Sequence, residues 1–93
     1  MEFTRVAGQH PCPIKLYALS TCVWCRKTKA LLNELSLGYE YVDVDLLDAE
    51  EKERTEQEIA RWNPACSFPT LVIGDERCIA GFQEDRIREL VPR

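Results

Sequence analysis

The sequence predicts a single α/β domain with elements in the order β-α-β-α-β-β-α, in which three helices flank a four-stranded mixed sheet. Short apolar or alternating runs of strand type are separated by segments that repeat apolar residues at helical spacing. The last two of these runs have only the turn Gly74-Asp75-Glu76 between them, which is typical of an antiparallel hairpin. The 93 residues suffice for one modest core but not for two.

The first strand and the first helix meet at a pair of cysteines. Ile14 to Leu19 is rich in apolar residues, as a short strand buried on both faces would be. A helix with apolar residues at helical spacing begins near Cys22, with Ser20 or Thr21 as its cap. Gly38 suits the left-handed position at the end of this helix.

A second strand and a second helix follow. Residues 39–45 alternate aromatic or aliphatic side chains with acidic ones, which predicts a half-exposed strand with its apolar face inward. Asp48 is a good N-cap for the next helix because its carboxylate accepts hydrogen bonds from the first turn. That helix runs to about Trp62, and Asn63-Pro64 stops it.

The last third of the chain predicts a hairpin and a closing helix. Leu71 to Ile73 is an apolar run of strand type, Arg77 to Ala80 is long enough to pair with it, and Gly81 breaks the second strand. The closing helix spans Gln83 to Val91, with an apolar stripe and with basic residues up to Arg93 toward its end.

Composition narrows the class of protein. The apolar share of 45% is ordinary for a globular chain, and no apolar run is long enough to cross a bilayer. The first ten residues lack the apolar core of a signal peptide, and the five cysteines are odd in number, so we expect a cytoplasmic protein without persistent disulfides. Residues 1–13, with two prolines near their end, predict an extended, partly loose lead-in to a domain of residues 14–93.

Charge is unevenly distributed along the chain. The formal net charge of −4 argues against nucleic acid as a partner. Nine of the sixteen acidic residues lie between Glu40 and Glu58, whereas Arg26, Lys27 and Lys29 directly follow the cysteine pair. The end of the molecule that carries the cysteines is therefore expected to be more positive than the rest.

Cys22 and Cys25 form a Cys-x-x-Cys pair, which at a strand-to-helix junction is the arrangement of a redox dithiol. Unpaired N–H groups and the positive end of the helix dipole favour the thiolate form of Cys22, and Arg26 and Lys27 add positive charge. Cys25 lies one turn inside the helix on nearly the same face, so it reaches Cys22 while being better shielded from solvent. We therefore expect Cys22 to attack a substrate disulfide and Cys25 to resolve the mixed disulfide.

A metal or iron–sulfur centre is the alternative use of these cysteines. Such a centre usually takes four ligands, whereas one Cys-x-x-Cys supplies two, and His10 is the only histidine. We expect no metal and no cofactor, and a metal- or cluster-binding module of the same fold is the second hypothesis. Cys66 is either a small buried apolar side chain or a third redox thiol near the pair, whereas Cys12 and Cys78 are expected to be structural.

Three motifs in this order resemble the glutaredoxins of the thioredoxin superfamily: Cys22-Val23-Trp24-Cys25, Phe68-Pro69-Thr70, and Gly81-Phe82 followed by Asp85. The resemblance covers roughly residues 14–91 and implies the thioredoxin fold, thiol–disulfide oxidoreductase activity and a cis peptide bond before Pro69. A cis bond there leaves the backbone groups of Phe68 free for an extended substrate segment. The expected substrate-binding residues are Thr21, Val23, Trp24, Phe68, Pro69, Gly81 and Phe82.

Two places depart from the pattern of many glutaredoxins. Where those proteins hold the carboxylates of glutathione with a lysine and a Gly-Gly-Cys-Asp-like segment, this sequence has Leu19 and Ala80-Gly81-Phe82-Gln83. Gly81-Phe82 followed by Asp85 is closer to redoxins of the NrdH type, which take electrons as thioredoxins do and pass them to ribonucleotide reductase. We expect a protein that reduces disulfides of proteins or glutathione-mixed disulfides, with glutathione or a thioredoxin-type reductase as the reductant. We also expect a monomer.

Overall fold

A computed structural model describes residues 3–9 and 11–91 of the chain. The elements are β1 (Thr4–Val6), β2 (Ile14–Ala18), α1 (Val23–Glu34), β3 (Tyr39–Asp43), a 3-10 turn (Val44–Leu46), α2 (Ala49–Trp62), β4 (Thr70–Ile73), β5 (Arg77–Ala80) and α3 (Glu84–Arg88). From β2 onward this is the predicted order of strands and α-helices. His10 and Arg93, which the sequence analysis singled out, lie outside the described residues.

The sheet has five strands in the order β1-β3-β2-β4-β5, so the prediction of four strands was one strand short. The central pair β2 and β3 is parallel, and the β4–β5 hairpin joins β2 from the other side in antiparallel register. The extra strand comes from the segment expected to be a lead-in, and it pairs antiparallel with β3, with Arg5 opposite Glu40. These two side chains form an ion pair at 3.0 Å. Three mostly exposed residues have no periodicity that would reveal such a strand.

Both faces of the sheet are covered. The first face, under α1 and α3, packs Leu16 against Leu32 and Ile87, all of which have less than 1% of their surface exposed. The second face, under α2, packs Tyr17, which is 1% exposed, together with Ile59, which is fully buried. Adjacent residues of β2 thus point to opposite faces, and burying each such side chain stabilises the fold by about 1.5–3 kcal/mol.

Strand β3 is buried on both faces rather than on one. Tyr39 packs into the first face, whereas Val42 and Val44 pack into the second. The prediction that one face of this strand is exposed to solvent was therefore wrong. The strand also ends at Asp43, two residues earlier than expected. The cause is α2, which covers the face that the acidic residues seemed to leave to water, so that Val42 is only 5% exposed.

Helix α1 ends differently from the prediction. Ser36, not Gly38, adopts the left-handed conformation, with φ of 58°. The N–H of Leu37 donates to the carbonyl of Leu32 at 3.0 Å, and the N–H of Ser36 donates to that of Asn33 at 3.0 Å. These two bonds satisfy two of the last four carbonyls of the helix, which offsets the strain at a non-glycine residue.

One edge of the sheet collects the loops that matter for the site. Because β2 and β3 are parallel, the segments after Ala18 and after Asp43 leave the sheet side by side. The register of β4 and β5 places Thr70 and Ala80 at the same edge. We call this the site edge, and along it the chain segments run in the order 44–46, 19–22, 68–69 and 81–82.

Candidate active site

Cys22 is itself the N-cap of α1, so the prediction of Ser20 or Thr21 as the cap was wrong. Its backbone is extended, with φ of −85° and ψ of 120°. The N–H of Cys25 donates to Cys22 Sγ at 3.2 Å, and the N–H of Arg26 donates to the Cys22 carbonyl at 3.1 Å. The sulfur thus accepts one of the N–H groups of the first turn that have no partner within the helix. A negatively charged sulfur accepts such a bond better than a neutral one.

Cys25 lies behind Cys22 in the core. It has less than 1% of its surface exposed, whereas Cys22 is half-buried. The N–H of Leu19 donates to Cys25 Sγ at 3.5 Å. Burial, and after it the hydrogen bond with Cys22, raises the pKa of the Cys25 thiol to about 12. Cys25 is therefore a neutral thiol at physiological pH, and Cys22 is the one of the pair that an external molecule can reach.

A groove of about 190 Å³ lies at the site edge and is lined by Trp24, Phe68, Pro69, Gly81 and Phe82. These are five of the seven predicted substrate-binding residues, whereas Thr21 and Val23 are exposed and do not line the groove. The Phe68–Pro69 peptide bond is cis.

The two sides of the groove are tied together through the backbone. The Gly81 N–H donates to the Pro69 carbonyl at 2.8 Å. Gly81 has φ of +80°, a conformation that favours glycine. The N–H and carbonyl of Phe68 make no hydrogen bond to any other described residue, so both are available to a partner.

Trp24 forms one wall of the groove. Its ring stacks on that of Phe82, with centroids 5.8 Å apart and planes at 29°. The ammonium of Lys27 lies 4.7 Å from the centroid of the Trp24 ring. The basic residues that follow the cysteine pair therefore do not all lie at the surface of the site. Lys27 contacts Trp24 at the surface, whereas Lys29 turns inward to an ion pair with Asp43 at 3.2 Å.

The loop before Cys22 is held by a residue that the sequence analysis did not connect with the site. The N–H of Ser20 donates to Oδ1 of Asp45 at 2.8 Å, and its hydroxyl donates to Oδ2. The hydroxyl bond, and after it the N–H bond, holds the pKa of Asp45 below its usual value of 3.8. The two residues are 25 positions apart, and only the parallel pairing of β2 and β3 brings them together.

The loop that carries Phe68 and Pro69 is held by a buried amide. Asn63, expected only to stop α2, is 7% exposed, and its side-chain NH₂ donates to Ser67 Oγ at 2.9 Å and to Thr70 Oγ1 at 3.1 Å. The Thr70 hydroxyl in turn donates to the Ser67 carbonyl at 2.7 Å. An Asn before a proline predicts the end of a helix. Nothing local in the sequence indicates that its side chain also holds the loop of Phe68 and Pro69.

The other cysteines lie away from the pair. All five cysteines are free thiols. Cys66 packs against the second face of the sheet and Cys22 against the first, so Cys66 is not placed beside the dithiol. The thiol of Cys78 donates to the Trp62 carbonyl at 3.0 Å, and Cys12 packs against the first face. Within residues 3–9 and 11–91, no group of three or more His, Cys, Asp or Glu is arranged to hold a metal ion.

A larger depression, of about 390 Å³, lies at the opposite end of β2 and β3. Its lining includes Arg5, Ile14 and Tyr39. It is larger than the groove, but it lies at the end of β2 and β3 away from Cys22 and Cys25, and burial raises the pKa of its Tyr39 phenol. The dithiol groove is the better candidate for chemistry.

The family model for glutaredoxin matches residues 14–78. The chain belongs to the glutaredoxin family. Methanoredoxin of Methanosarcina acetivorans is 49% identical and superposes with a TM-score of 0.87 over 92% of this chain and 90% of that one. A glutaredoxin-like 8.6 kDa protein from the rubredoxin operon of Clostridium pasteurianum is 35% identical over 80 residues, 86% of this chain and 99% of its own length.

The NrdH-redoxin of Escherichia coli is a more distant likeness of this glutaredoxin, at 26% identity and a TM-score of 0.69 over 87% of this chain and 97% of that one. These likenesses confirm the thioredoxin fold. With Cys22 and Cys25 at the start of α1, family membership identifies the chain in general terms as a thiol oxidoreductase. None of the helices in the described part of the chain combines the length and the apolar character that a bilayer span needs.

Proposed function

We propose that this glutaredoxin reduces disulfide bonds of proteins through Cys22 and Cys25. The observation that carries the proposal is the unequal placement of the two sulfurs. Cys22 Sγ is half-buried beside the groove and accepts the N–H of Cys25, whereas Cys25 is fully buried behind it. One sulfur is thus accessible to a substrate and accepts a hydrogen bond from the first turn of the helix, and the other is kept from external disulfides but within reach of the first.

The reaction has two exchange steps. The Cys22 thiolate attacks one sulfur of the substrate disulfide, which forms a mixed disulfide and releases the other sulfur as a thiolate. That thiolate takes up the proton that Cys25 must lose, and the Cys25 sulfur then attacks Cys22 Sγ. The bond between Cys22 and the substrate breaks, the second substrate sulfur leaves as a thiolate that takes a proton from water, and the protein keeps a Cys22–Cys25 disulfide. Two electrons pass from the protein dithiol to the substrate.

The groove positions the substrate. The available backbone groups of Phe68 pair with an extended segment around the substrate cysteine, as an added strand pairs with a sheet edge. Trp24 and Phe82 form an apolar wall for the neighbouring side chain. Thr21 and Val23 are exposed around Cys22 and contact the substrate outside the groove.

The reductant is proposed to be glutathione or a thioredoxin-type reductase. Leu19, at the position where many glutaredoxins have a lysine, packs against the second face of the sheet and supplies no charge to a carboxylate. We also propose that the protein acts as a cytoplasmic monomer, because its five cysteines, an odd number, suit a reducing compartment. Offering the oxidised protein each reductant separately and counting the re-formed thiols identifies the donor.

The function is tested with variants of the two cysteines. Cys22→Ser is expected to lose the reduction of insulin and of bis(2-hydroxyethyl) disulfide, because Cys25 is buried and no other cysteine belongs to the Cys-x-x-Cys pair. Cys25→Ser is expected to accumulate a mixed disulfide with the substrate, detected by mass spectrometry under non-reducing conditions. Cys66→Ser is the matched control and should keep the wild-type rate. If Cys22→Ser reduces either disulfide at the wild-type rate, the proposal is wrong.

A further inference from the structure

We infer that Leu46 extends the substrate-binding surface and docks a folded protein whose disulfide is flanked by apolar side chains. This inference rests on the function proposed above and names its substrate class. Leu46 is the last residue of the 3-10 turn after β3 and is 71% exposed. It does not line the groove, and it lies outside the motifs that carry the family resemblance.

The first observation is where the exposed apolar side chains lie. Among the described residues, three large apolar side chains are exposed: Leu46, Val23 at 53% and Trp24 at 52%. Single exposed apolar residues scattered over a surface are normal and need no explanation. Here, however, Val23 and Trp24 sit within the dithiol motif, and Leu46 follows the residue that binds Ser20, two positions before Cys22. Leu46 therefore belongs to the site edge, and Val23 and Trp24 directly follow its segment 19–22.

The second observation is the order of the strands. In the sheet, β3 lies next to β2 on the side away from β4. The segment with Leu46 therefore flanks Cys22 on one side, whereas Pro69 and Phe82 flank it on the other, at the ends of β4 and β5. A partner lying across the site edge contacts Leu46, then the sulfur of Cys22, then the groove.

The third observation is that Leu46 is held in place. Val44, two residues earlier, is 1% exposed and packs into the second face of the sheet. Asp45 accepts two hydrogen bonds from Ser20, and the N–H of Leu47 donates to the Val44 carbonyl at 3.2 Å. The apolar side chain is thus presented to solvent from a fixed turn, which lowers the entropy lost when a partner covers it.

The size of the surface selects the partner. Cys22 is half-buried, so a molecule that brings a disulfide to it lies against the residues around it. A small disulfide reaches the sulfur and its immediate neighbours. A folded protein covers about 800 Å² on each side of a typical interface, which is enough to include Leu46 together with the groove. Only the protein gains from burying this side chain.

The test compares Leu46→Ser with the wild type on two substrates. The fully reduced protein is mixed with insulin or with bis(2-hydroxyethyl) disulfide and quenched in acid at successive times. The second-order rate constant of a single turnover is obtained from the fraction of the protein that carries the Cys22–Cys25 disulfide, measured by mass spectrometry after alkylation of the remaining thiols. For insulin we expect a fall of about fivefold, because an apolar contact is lost. The rate with the small disulfide should stay within about 1.5-fold, since Leu46 does not touch the reacting sulfurs. Leu46→Met should restore at least half of the insulin rate.

Gln57→Ser, on the exposed side of α2, is the control for a polar surface change and should leave both rates unaltered. An insulin rate that does not change in Leu46→Ser, or an equal fall with both substrates, would overturn the inference. Such a result would leave the proposed function standing, because the wild type would still reduce both disulfides through Cys22. A wild type inactive towards both disulfides would instead overturn the proposed function and this inference with it.

Discussion

The carboxylate of Asp45 accepts hydrogen bonds from both the N–H and the hydroxyl of Ser20. These bonds join the loop after β3 to the loop that leads into Cys22. Each loop follows one of two parallel strands, so this pair fixes the site edge across the centre of the sheet. The position of Cys22 therefore depends on a residue from a different loop as well as on the helix that it caps.

Asp45→Asn is expected to make the fold less sensitive to acid. The pKa of Asp45 is lowered in the folded protein, first by the Ser20 hydroxyl, so its charge stabilises the fold above the ordinary value of 3.8. That contribution is lost as the pH falls through the lowered folded pKa. The Tm difference between wild type and variant should therefore be constant from pH 7 to about 5 and shrink below about 4.

Ser20→Ala is the companion variant, because it removes the hydroxyl donor and keeps the N–H donor. Its wild-type-minus-variant Tm difference should show the same pH dependence with a smaller amplitude. A Tm difference for Asp45→Asn that does not vary between pH 7 and 3 would contradict the role of this hydrogen bond in the folded protein.

The buried thiol of Cys25 predicts a high pH for its modification. In a Cys22→Ser variant, alkylation of Cys25 by iodoacetamide should be slow at pH 7 and still rise at pH 10, because burial raises the pKa to about 12. In urea, the alkylation rate of the same thiol should stop rising above about pH 9, because the unfolded thiol has its ordinary pKa of 9.0. The pKa of Cys25 is higher in the folded protein than in the unfolded chain, so the neutral thiol stabilises the reduced fold below pH 9. This stabilisation is lost as the pH rises toward 12. Equal alkylation profiles in buffer and urea would refute the burial of Cys25.

The ion pair between Lys29 and Asp43 is expected to stabilise the fold more than the exposed pairs do. Their side chains are 22% and 17% exposed, and the ammonium also lies 4.0 Å from the centroid of the Tyr41 ring. Asp43→Asn leaves a mostly buried cation without its partner and should lower the free energy of unfolding by about 1–2 kcal/mol.

Glu34→Gln is the control for this prediction. It breaks the pair with Arg88, whose side chains are 65% and 46% exposed, and should cost less than about 0.5 kcal/mol. Urea unfolding of both variants under reducing conditions measures the difference. Losses of equal size in the two variants would show that burial does not distinguish these pairs.

Local signals account for what the sequence predicted correctly. The apolar periodicity from Ile14 onward and the turn residues between strands gave the order of strands and α-helices, since both are read within a few positions. The cap at Asp48 is confirmed, with its carboxylate accepting the N–H of Glu51 at 2.8 Å, because capping is decided by a residue and its own first turn. The cysteine pair was found for the same reason.

What the sequence missed depends on partners far along the chain. Strand β1 forms only because β3 offers it an edge, and Ser20 finds Asp45 only once β2 and β3 lie side by side. Cysteine is not among the usual N-caps, so the sequence predicted a cap at Ser20 or Thr21 instead of Cys22. The exposure of Leu46 likewise follows from the packing of Val44 beneath it, which no pattern in the strand-like run 39–45 reveals.

Gly8→Ala is expected to detach the N-terminal strand. A Cβ at Gly8 would lie 2.5 Å from the Gly38 nitrogen and 2.6 Å from the Leu37 carbonyl carbon, which are backbone atoms that cannot move aside alone. Residues 8–9 follow β1 and are bonded to this segment, with the Gln9 carbonyl accepting the Gly38 N–H at 2.7 Å. We expect a loss of about 2 kcal/mol in urea unfolding and faster hydrogen exchange at Gly38.

Gly74→Ala is the matched control for this change. At Gly74, φ is +61° and a Cβ meets nothing within 4 Å, so only backbone strain of about 1 kcal/mol is expected, with unchanged exchange at Gly38. Because β1 lies at the far side of the sheet from the groove, Gly8→Ala should keep its reductase rate at temperatures where it stays folded. Wild-type stability in Gly8→Ala would mean that residues 7–9 move away from α1 at no cost, and β1 would then add nothing to the stability of the sheet.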